Sequence, residues 1–492
     1  MEWFDLWLLS PELALLGVAL VLIALDLALP PRQAGVVLPL TAVVGLVAPL
    51  ALALALWERV GQEPTGFLVG FFGAVQVDHF ALFFKLLVIG VVALVVLASM
   101  DYVGRFRRFQ GEYYALILLS AIGMMLLATG RELVTLYVSL ELTALPLAAL
   151  AAFLRDARSS EAGIKFLLLS ATASAFLLYG IALLYGVTGT TGLREVALVL
   201  GGGGTAPFGG EAVLLAAILI AAGFGFKVAS VPFQMWVPDV YEGSPTTVTA
   251  YLSVASKAAG FAVLLRVFYV AFEGFAVDWS VLFAGLSAAS MVVGNVVAVV
   301  QTNIKRLLGY STIAHAGYIM VGLAAIARDP AVSGPSALLF YLAAYAVTNL
   351  AAFFAVIAIA NKTGSERIED FAGMWQRAPL LSTVLALAMV SLIGIPPTAI
   401  FIAKLYIFAA AVQSGLLWLA VWGVVNSVLS AYYYLRVVRA MFLLPAPSKE
   451  GVPASGGFRL ALAATAVGTV LLGIVPGPLL SVVAQAVRPL VG

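Results

Sequence analysis

Six ionisable side chains lie within long apolar stretches of the sequence: Glu141, Lys165, Lys227, Lys257, His315 and Lys404. A charge at the bilayer centre costs roughly 2.5–3.5 kcal/mol on insertion scales, so such a residue usually faces water, a partner or a proton route. Burial and neighbouring charges can also bring a lysine into the range where it exchanges protons. This pattern predicts a proton pathway through a membrane.

Glu141 and Lys227 are the first candidate pair. Glu141 lies in the middle of TLYVSLELTALP, too far from either end for its carboxylate to reach an interface easily, and Lys227 shortly precedes Pro232, which interrupts a helix. We expect a switch in which neutralisation or movement of Glu141 makes Lys227 release its proton. The alternatives are a structural hydrogen bond for protonated Glu141 and a static buried ion pair for the two.

Lys257, Lys404 and Lys165 extend this set. Lys257 lies in SVASKAAGF, whose small residues permit close packing or water, and Lys404 follows a second Pro-containing interruption. We interpret Lys404 as the counterpart of Lys227 in a second repeat. Lys165 lies only a few residues inside its segment and could snorkel to the cytoplasmic interface. Proton transfer is favoured because that segment neighbours the one with Glu141.

His315 lies in YSTIAHAGYIM with Ser311, Thr312 and Tyr318 at helical spacing. A neutral histidine relays a proton because one ring nitrogen donates while the other accepts. We expect His315 to bridge the two repeats. The alternative is a structural histidine that binds a neighbouring hydroxyl.

The remaining charged residues of the apolar segments lie near segment ends. Lys85 and Arg266 are expected to snorkel to an interface, and Glu12 and Asp26 are expected to be interfacial. Each of these positions is therefore left out of the predicted pathway.

Asp239 and Glu242 lie in WVPDVYEGSPT, between two predicted spans on the cytoplasmic side. Two carboxylates there can control proton uptake or dock a neighbouring protein. A solvated turn is an equally good interpretation.

Composition shows which elements must hold these residues. The 492 residues are 63% hydrophobic and 10% charged, with a mean hydropathy of +1.10, which predicts an all-α polytopic membrane protein. Apolar runs long enough to cross a bilayer predict fourteen spans. We place them near 8–29, 36–57, 79–99, 114–129, 132–153, 163–186, 213–236, 247–271, 279–301, 305–326, 336–360, 380–413, 416–442 and 458–482.

Basic residues predict the orientation, since they accumulate in cytoplasmic loops. With an outward N-terminus, the inner loops hold Arg32, Arg105, Arg107, Arg108, Arg155, Arg158, Lys305, Arg306, Lys362, Arg367, Arg377, Arg436, Arg439, Lys449 and Arg459. The outer side holds only Arg59, Arg131, Arg194, Arg328 and Arg488. We therefore expect a multi-pass protein of the cell inner (plasma) membrane with both termini on the non-cytoplasmic side.

The spans predict internal symmetry within a single membrane domain, 1–492. An odd number of crossings inverts a second copy, so spans 4–8 and 9–13 are predicted to be two inverted five-helix repeats with broken helices 7 and 12. The predicted parts are the N-terminal spans in 1–113, the repeats in 114–271 and 279–442, and a C-terminal span at 458–482.

Several kinds of chemistry are excluded by the sequence. The absence of cysteine excludes disulfides and Cys-ligated iron–sulfur clusters in this chain, and the sequence has no phosphate-binding loop, dinucleotide fingerprint or zinc-spaced histidine cluster. A net charge of +2 without a long basic run argues against nucleic acid as a partner. We expect no cofactor to be bound by this chain.

Three motifs resemble a known family. The segments KVASVPFQMWVPDVYEGSPT (227–246) with SKA (256–258), NIKRLLGYSTIAH (303–315) and GIPP (394–397) before Lys404 are similar to signatures of the antiporter-like, proton-translocating subunits of respiratory complex I. The resemblance covers roughly residues 100–445. SPEL (10–13), ALDL (24–27), the lysine at 404 and the lack of a predicted long lateral helix make the chain most similar to the N type.

This resemblance implies that the six residues form a water-linked axis of protonatable groups. It also implies a translocase of many membrane subunits, in which NADH and quinone react elsewhere in the complex. Two other interpretations stay open: a subunit of a multi-subunit cation/proton antiporter, and a membrane scaffold that transports nothing.

Overall fold

The computed structural model describes residues 3–103, 109–201, 209–326, 333–446 and 456–491. Within these ranges, 12 helices are long and apolar enough to cross a membrane. Two shorter apolar helices together occupy the predicted twelfth span, and one further long helix occupies the thirteenth. The all-α membrane fold is confirmed, and the count of fourteen crossings and the inverted repeats stay predictions.

Five of the basic residues used to predict the orientation lie outside the described residues: Arg105, Arg107, Arg108, Arg328 and Lys449.

The N-terminal part is a helical bundle with one β-hairpin. Its elements are α1 (Trp3–Leu8), α2 (Ser10–Ala28), α3 (Pro31–Gly45), α4 (Val47–Gln62), β1 (Phe67–Gly70), β2 (Val75–Asp78) and α5 (His79–Val103). The two strands pair antiparallel, with Phe67 opposite Asp78, and a 3₁₀ turn at Phe71–Gly73 joins them. The hairpin places Asp78 at the start of α5, where its carboxylate accepts the Ala81 N–H at 2.8 Å.

The next part contains the first broken helix. Its elements are α6 (Gln110–Thr129), α7 (Leu133–Ala151), α8 (Ala157–Thr188), α9 (Leu193–Gly201), α10 (Gly209–Val228), α11 (Trp236–Gly243), α12 (Thr246–Tyr251) and α13 (Lys257–Arg266). A π-helical segment, Leu252–Ser256, joins α12 to α13, and a second one, Val267–Ala271, extends α13. These four pieces form one continuous span, Thr246–Ala271.

The following part contains the second broken helix. After a 3₁₀ turn at Glu273–Phe275, its helices are α14 (Ala276–Val299), α15 (Ile304–Ala324), α16 (Gly334–Thr363), α17 (Met374–Arg377), α18 (Pro379–Ile393), α19 (Ala399–Gln413) and α20 (Leu417–Leu443). Another 3₁₀ turn spans Ile368–Phe371. In the most apolar stretch of Thr246–Ala271, of α15 and of α16, 89%, 94% and 89% of the residues are buried. These helices therefore form the centre of the protein.

The last predicted span, 458–482, is wrong at its C-terminal end. The helix α21 (Gly456–Ile474) stops before Pro476, and a separate helix, α22 (Gly477–Val491), follows it. Proline lacks a backbone N–H and clashes with the preceding turn, which explains the stop.

Candidate functional site

The seventh apolar segment is broken at a capped helix end. The helix α10 ends at Val228, so the prediction that this span continues to residue 236 is wrong. Ala229 is left-handed at φ 62°, and the N–H groups of Ala229 and Ser230 donate to the carbonyls of Phe226 and Gly225 at 3.1 and 2.9 Å. This pair of hydrogen bonds is typical of a helix C-terminus. It ends the helix and leaves non-helical backbone within the membrane-spanning region.

The twelfth segment is broken in the same way. Gly394, at φ 93°, follows α18, and the N–H groups of Gly394 and Ile395 donate to the carbonyls of Ser391 and Val390 at 2.8 and 3.3 Å. Glycine adopts this conformation without the steric cost of a Cβ. Each break also contains a cis peptide bond before a proline, Pro232 in the first and Pro397 in the second.

Lys227 lies in the last turn of α10, and its side chain faces α13. The residue is 2% exposed, and its Nζ has no hydrogen-bond partner among the residues that the structure describes. A Cβ added at Gly260 of α13 would lie 3.2 Å from the Lys227 Cγ. Lys227 is therefore a buried cation packed closely against the helix that carries Lys257.

Glu141 is half-buried on α7 and accepts a short hydrogen bond from the Ser174 hydroxyl of α8. It attracts Lys227 by its charge, but no ion pair within 4 Å joins the two side chains. The alternative of a static Glu141–Lys227 ion pair is therefore wrong, and the switch stays a prediction.

Lys257 begins α13 directly after the π-helical segment Leu252–Ser256. The residue is 1% exposed, and its Nζ donates to the backbone carbonyl of Thr312 on α15 at 2.7 Å. Single π-helical turns inside helices often mark functional positions. Here the turn comes immediately before the buried lysine.

His315 joins three helices through hydroxyl groups. Its Nδ1 lies 2.9 Å from the Tyr341 hydroxyl of α16, and its Nε2 lies 3.3 Å from the Tyr434 hydroxyl of α20. Tyr434 also makes a short hydrogen bond with Ser311. An imidazole with a hydroxyl at each nitrogen can gain a proton on one side and lose one on the other.

Lys404 lies on α19 and reaches back across the second break. Its Nζ donates to the carbonyls of Leu392 and Ile393 at 3.3 and 2.9 Å and to the Ser427 hydroxyl at 2.9 Å. It also lies 4.4 Å from the centre of the Tyr318 ring. The negative end of the α18 dipole therefore faces the ammonium group.

Lys404 and Lys227 do not occupy equivalent places relative to the breaks. Lys227 precedes its break and Lys404 follows its own. Both lysines are buried beside a break, and their correspondence between two repeats stays a prediction.

Contacts link Lys257 to Lys404 through α15. Thr312, which binds Lys257, lies three residues before His315, and the rings of His315 and Tyr318 have centroids 5.6 Å apart. Tyr318 then meets Lys404 through its ring face. We call the set Lys257, Thr312, His315, Tyr318 and Lys404 the central axis.

Lys165 lies elsewhere. Its Nζ forms ion pairs with Asp239 of α11 at 2.7 Å and with Glu161 at 2.8 Å, and its side chain is 40% exposed. The structure therefore does not bring Lys165 into contact with Glu141. Its place in a proton pathway stays a prediction.

Asp239 and Glu242 do not lie in a solvated turn, because both belong to α11 and form ion pairs. Burial alone would raise the pKa of Asp239. The hydrogen bonds and charges of Lys165 and Arg306 outweigh that effect and hold the pKa below its usual value. The Asp239 carboxylate is therefore ionised at neutral pH.

Two residues expected to snorkel are buried instead. Lys85 is 0% exposed and pairs with Glu12 at 2.8 Å, so Glu12 is not interfacial either. Arg266 binds both oxygens of Asp78, at 2.6 and 3.0 Å. Distance to a segment end did not predict these pairs, because each joins residues far apart in sequence.

The sequence prediction included the hydroxyls of Ser311, Thr312 and Tyr318 but missed other hydroxyl and amide groups around the axis. Ser427 and Tyr434 lie two turns apart on one face of α20, and Asn295 of α14 donates to Tyr318 at 3.3 Å. The helical spacing of Ser427 and Tyr434 was the available signal. Within the described residues, no group of three His, Cys, Asp or Glu side chains could hold a metal ion.

Residues 130–430 match a family model described as "NADH:quinone oxidoreductase/Mrp antiporter, TM". The chain is 44% identical over 488 residues to the NADH-quinone oxidoreductase subunit N of Dehalococcoides mccartyi, covering 97% of this chain and 98% of the relative. It is 42% identical over 478 residues to the subunit N of Moorella thermoacetica, covering 96% and 97%.

Solved structures agree with this similarity. A chain of respiratory complex I from Thermus thermophilus with bound aureothin has a TM-score of 0.78 at 36% identity, covering 96% of this chain and 98% of that one. A chain of the Mrp complex from Dietzia shares the fold, with a TM-score of 0.83 at 24% identity, covering 100% and 98%. The chain therefore belongs to the NADH-quinone oxidoreductase subunit N family of antiporter-like membrane proteins.

Proposed function

We propose that this chain is a proton-translocating membrane-arm subunit of a bacterial NADH:quinone oxidoreductase. The observation that carries the proposal is the succession of buried groups along α15 from Lys257, bound to Thr312, through His315 to Tyr318 and Lys404. Ionisable groups are costly there and usually mark a proton or ion route. Relatives named NADH-quinone oxidoreductase subunit N match nearly the whole chain and support the choice of complex.

The axis supplies groups that can hold and pass protons. His315 takes up a proton on one ring nitrogen and releases one from the other, using the hydroxyls of Tyr341 and Tyr434. Lys257 and Lys404 gain and lose protons on either side of it, and the Ser427 hydroxyl provides an exchangeable proton beside Lys404. The backbone carbonyl of Thr312 positions Lys257 without carrying a proton itself.

The remaining predicted residues belong to the input side of this pathway. A change in the charge of Glu141 alters the attraction felt by Lys227, which packs against α13. Protons then reach Lys257, and Lys165 takes part from the cytoplasmic side. The driving force comes from NADH oxidation and quinone reduction in partner subunits, and this chain contributes no redox centre.

The chain works as one membrane domain within a hetero-oligomer of membrane subunits in the bacterial inner membrane. Both termini face the non-cytoplasmic side, as the distribution of basic residues predicts. The two predicted repeats, 114–271 and 279–442, place a broken helix on each side of His315.

Replacement of the buried cation at the first break tests the proposal. Lys227→Ala should lower proton pumping and coupled quinone reduction while the subunit stays in the complex, because a proton-carrying group is lost but no ion pair is broken. Both activities are measured in membrane vesicles, with Lys362→Ala, an exposed lysine at the end of α16, as the control. Normal pumping in Lys227→Ala would count against the pathway.

A cation/proton antiporter subunit is the alternative that the family description and the shared fold of the Mrp complex favour. Sodium dependence of transport by the intact assembly would support it. A scaffold that transports nothing would instead predict that Glu141→Gln and Lys227→Ala damage assembly and leave the activity of assembled complexes intact.

A further inference from the structure

Eight charged side chains form one connected cluster on the side of the protein where α11 ends. They come from α8, α11, the start of α15 and the segment that precedes the 3₁₀ turn at Ile368–Phe371. We call this cluster the α11 clamp, and its members are Arg158, Glu161, Lys165, Asp239, Glu242, Lys305, Arg306 and Glu366.

The clamp holds α11 from two sides through its two carboxylates. Asp239 binds Lys165 of α8 at 2.7 Å and Arg306 of α15 at 2.8 Å. Glu242 lies one turn later and binds Arg158 of α8 at 2.5 Å and the same Arg306 at 2.8 Å. Each carboxylate thus bridges α8 to α15.

Lys305 adds a buried contact to the end of α11. The residue is 2% exposed, and its Nζ donates to the carbonyls of Glu242 and Ser244 at 2.9 and 2.8 Å and to the Glu366 carboxylate at 2.9 Å. A cation at a helix C-terminus interacts favourably with the helix dipole. The Asn303 side chain accepts the backbone N–H of Lys305 and so fixes the start of α15.

Two parts of the proposed pathway are attached to this clamp. α11 is the helix that follows the break after Lys227, and α15 carries Thr312 and His315 within about two and a half turns beyond Arg306. Because the part of α15 between Arg306 and these residues is short, it acts as a stiff element. A displacement of Arg306 therefore also moves Thr312 and His315. The position of the first break and the position of the central axis are therefore set by the same contacts.

We propose that Lys305 and Arg306 are positioning residues for proton transfer, which hold the Lys227 break in register with Thr312 and His315. This proposal rests on the proposed function, since it concerns the geometry of that pathway. Isolated ion pairs at a surface contribute little, but Arg306 bridges two carboxylates and Lys305 is buried among carbonyls. These contacts are therefore suited to fix the position of α11 relative to α15.

The experiment uses the assembled complex with Arg306→Gln and Arg306→Lys. Arg367→Gln is the matched control, because Arg367 pairs only with Glu369 in the described structure and both side chains are 64% exposed. Amide hydrogen exchange of α11 is measured by mass spectrometry, and pumping and quinone reduction are measured per assembled complex.

Arg306→Gln should speed exchange in α11 and lower pumping per complex about threefold or more, because both carboxylates of α11 lose their ion pairs with α15. Arg306→Lys should be intermediate, since lysine keeps the charge but has a shorter side chain with which to reach the two carboxylates that Arg306 binds through Nη1. Arg367→Gln should change neither measurement. A purely structural role would lower the amount of complex without changing pumping per complex.

Wild-type pumping per complex in Arg306→Gln would overturn the proposal, and so would an equal loss in Arg367→Gln. If Arg306→Gln does not assemble, Asp239→Asn replaces it, since the amide keeps the shape and Glu242 keeps its contacts. Lys257→Met separates this proposal from the proposed function. Normal pumping in Lys257→Met contradicts the pathway itself, whereas lost pumping there with normal pumping in Arg306→Gln contradicts only the clamp.

Discussion

Five buried cations, Lys85, Lys227, Lys257, Arg266 and Lys404, fall into two groups with different partners. Lys85 and Arg266 each meet a carboxylate within 2.8 Å. Among the described residues, Lys257 and Lys404 meet carbonyl and hydroxyl oxygens and an aromatic ring but no carboxylate, and Lys227 Nζ has no hydrogen-bond partner there. Both groups are almost fully buried, so burial does not distinguish them.

The difference indicates which cations can exchange protons. A lysine that loses its proton beside a carboxylate leaves a buried charge without compensation, which is strongly unfavourable. A lysine among neutral acceptors removes a buried charge when it loses its proton, so its neutral form is accessible. The paired cations therefore hold the bundle together, and the cations with neutral partners are suited to proton transfer.

The largest effect on stability should follow from breaking a carboxylate pair. Asp78→Leu leaves Arg266 buried without its bidentate partner, which should cost about 3–5 kcal/mol of stability. Thermal unfolding of the assembled complex and the amount of assembled subunit measure this. Glu369→Leu breaks the exposed Arg367 pair and should change stability by less than about 1 kcal/mol. Equal effects of the two changes would remove the distinction.

Lys404→Met should affect proton pumping more than stability, in contrast to Asp78→Leu. It removes a proton-carrying group, so pumping should fall about tenfold or more, as expected for the loss of an acid–base group. Stability should fall less than in Asp78→Leu, because only neutral acceptors lose their partner. Pumping per complex and thermal unfolding are compared in the same preparation. A large loss of stability with normal pumping would place Lys404 among the structural cations.

The Asp78 pair should also be insensitive to mild acid. Burial alone would raise the pKa of Asp78, but the charge and hydrogen bonds of Arg266 hold it below its usual value. Because the folded pKa is lowered, this stabilisation is present above the unfolded pKa and is lost as the pH falls through the folded one. The stability difference between wild type and Asp78→Asn should stay constant from about pH 7 to 5 and shrink only below about pH 4.

The smallest predicted effect concerns the cap of the second break. Gly394→Ala places a Cβ 3.0 Å from the Lys404 Cδ and in a left-handed conformation. We expect a loss of about 1–2 kcal/mol of stability and a modest fall in pumping. Ala229 already occupies the same conformation at the first break, so Ala229→Gly should be neutral or slightly stabilising. Thermal unfolding checks both changes, and a loss in Ala229→Gly would contradict this account of the caps.

Apolar segment lengths predicted most of the membrane helices, because crossing a bilayer requires long apolar runs. The same pattern could not reveal that α10 stops at Val228, since the residues that follow, 229–237, are still mostly apolar. The prolines predicted the position of each break only to within a few residues. The left-handed residues that end the helices, Ala229 and Gly394, lie a few positions earlier in the chain.

The sequence indicated which ionisable residues are buried in the membrane region better than it indicated the partners of those residues. Lys257, His315 and Lys404 lie along α15, and their part in proton transfer stays a prediction, whereas Lys85 and Arg266 were assigned to the interface and are buried in ion pairs. Their carboxylate partners lie 73 and 188 positions away, and only the folded packing brings them together. Sequence position alone cannot tell a paired cation from one with neutral partners.

The most direct test compares one cation from each group, Lys257 and Lys85, in vesicles that contain the assembled complex. Proton pumping per complex is measured for Lys257→Met and for Lys85→Met. We predict a severe loss of pumping in Lys257→Met at normal assembly, and reduced assembly with normal pumping per complex in Lys85→Met. Normal pumping per complex in Lys257→Met, or a comparable loss in both variants, would contradict the claim that neutral partners mark the proton-transferring cations.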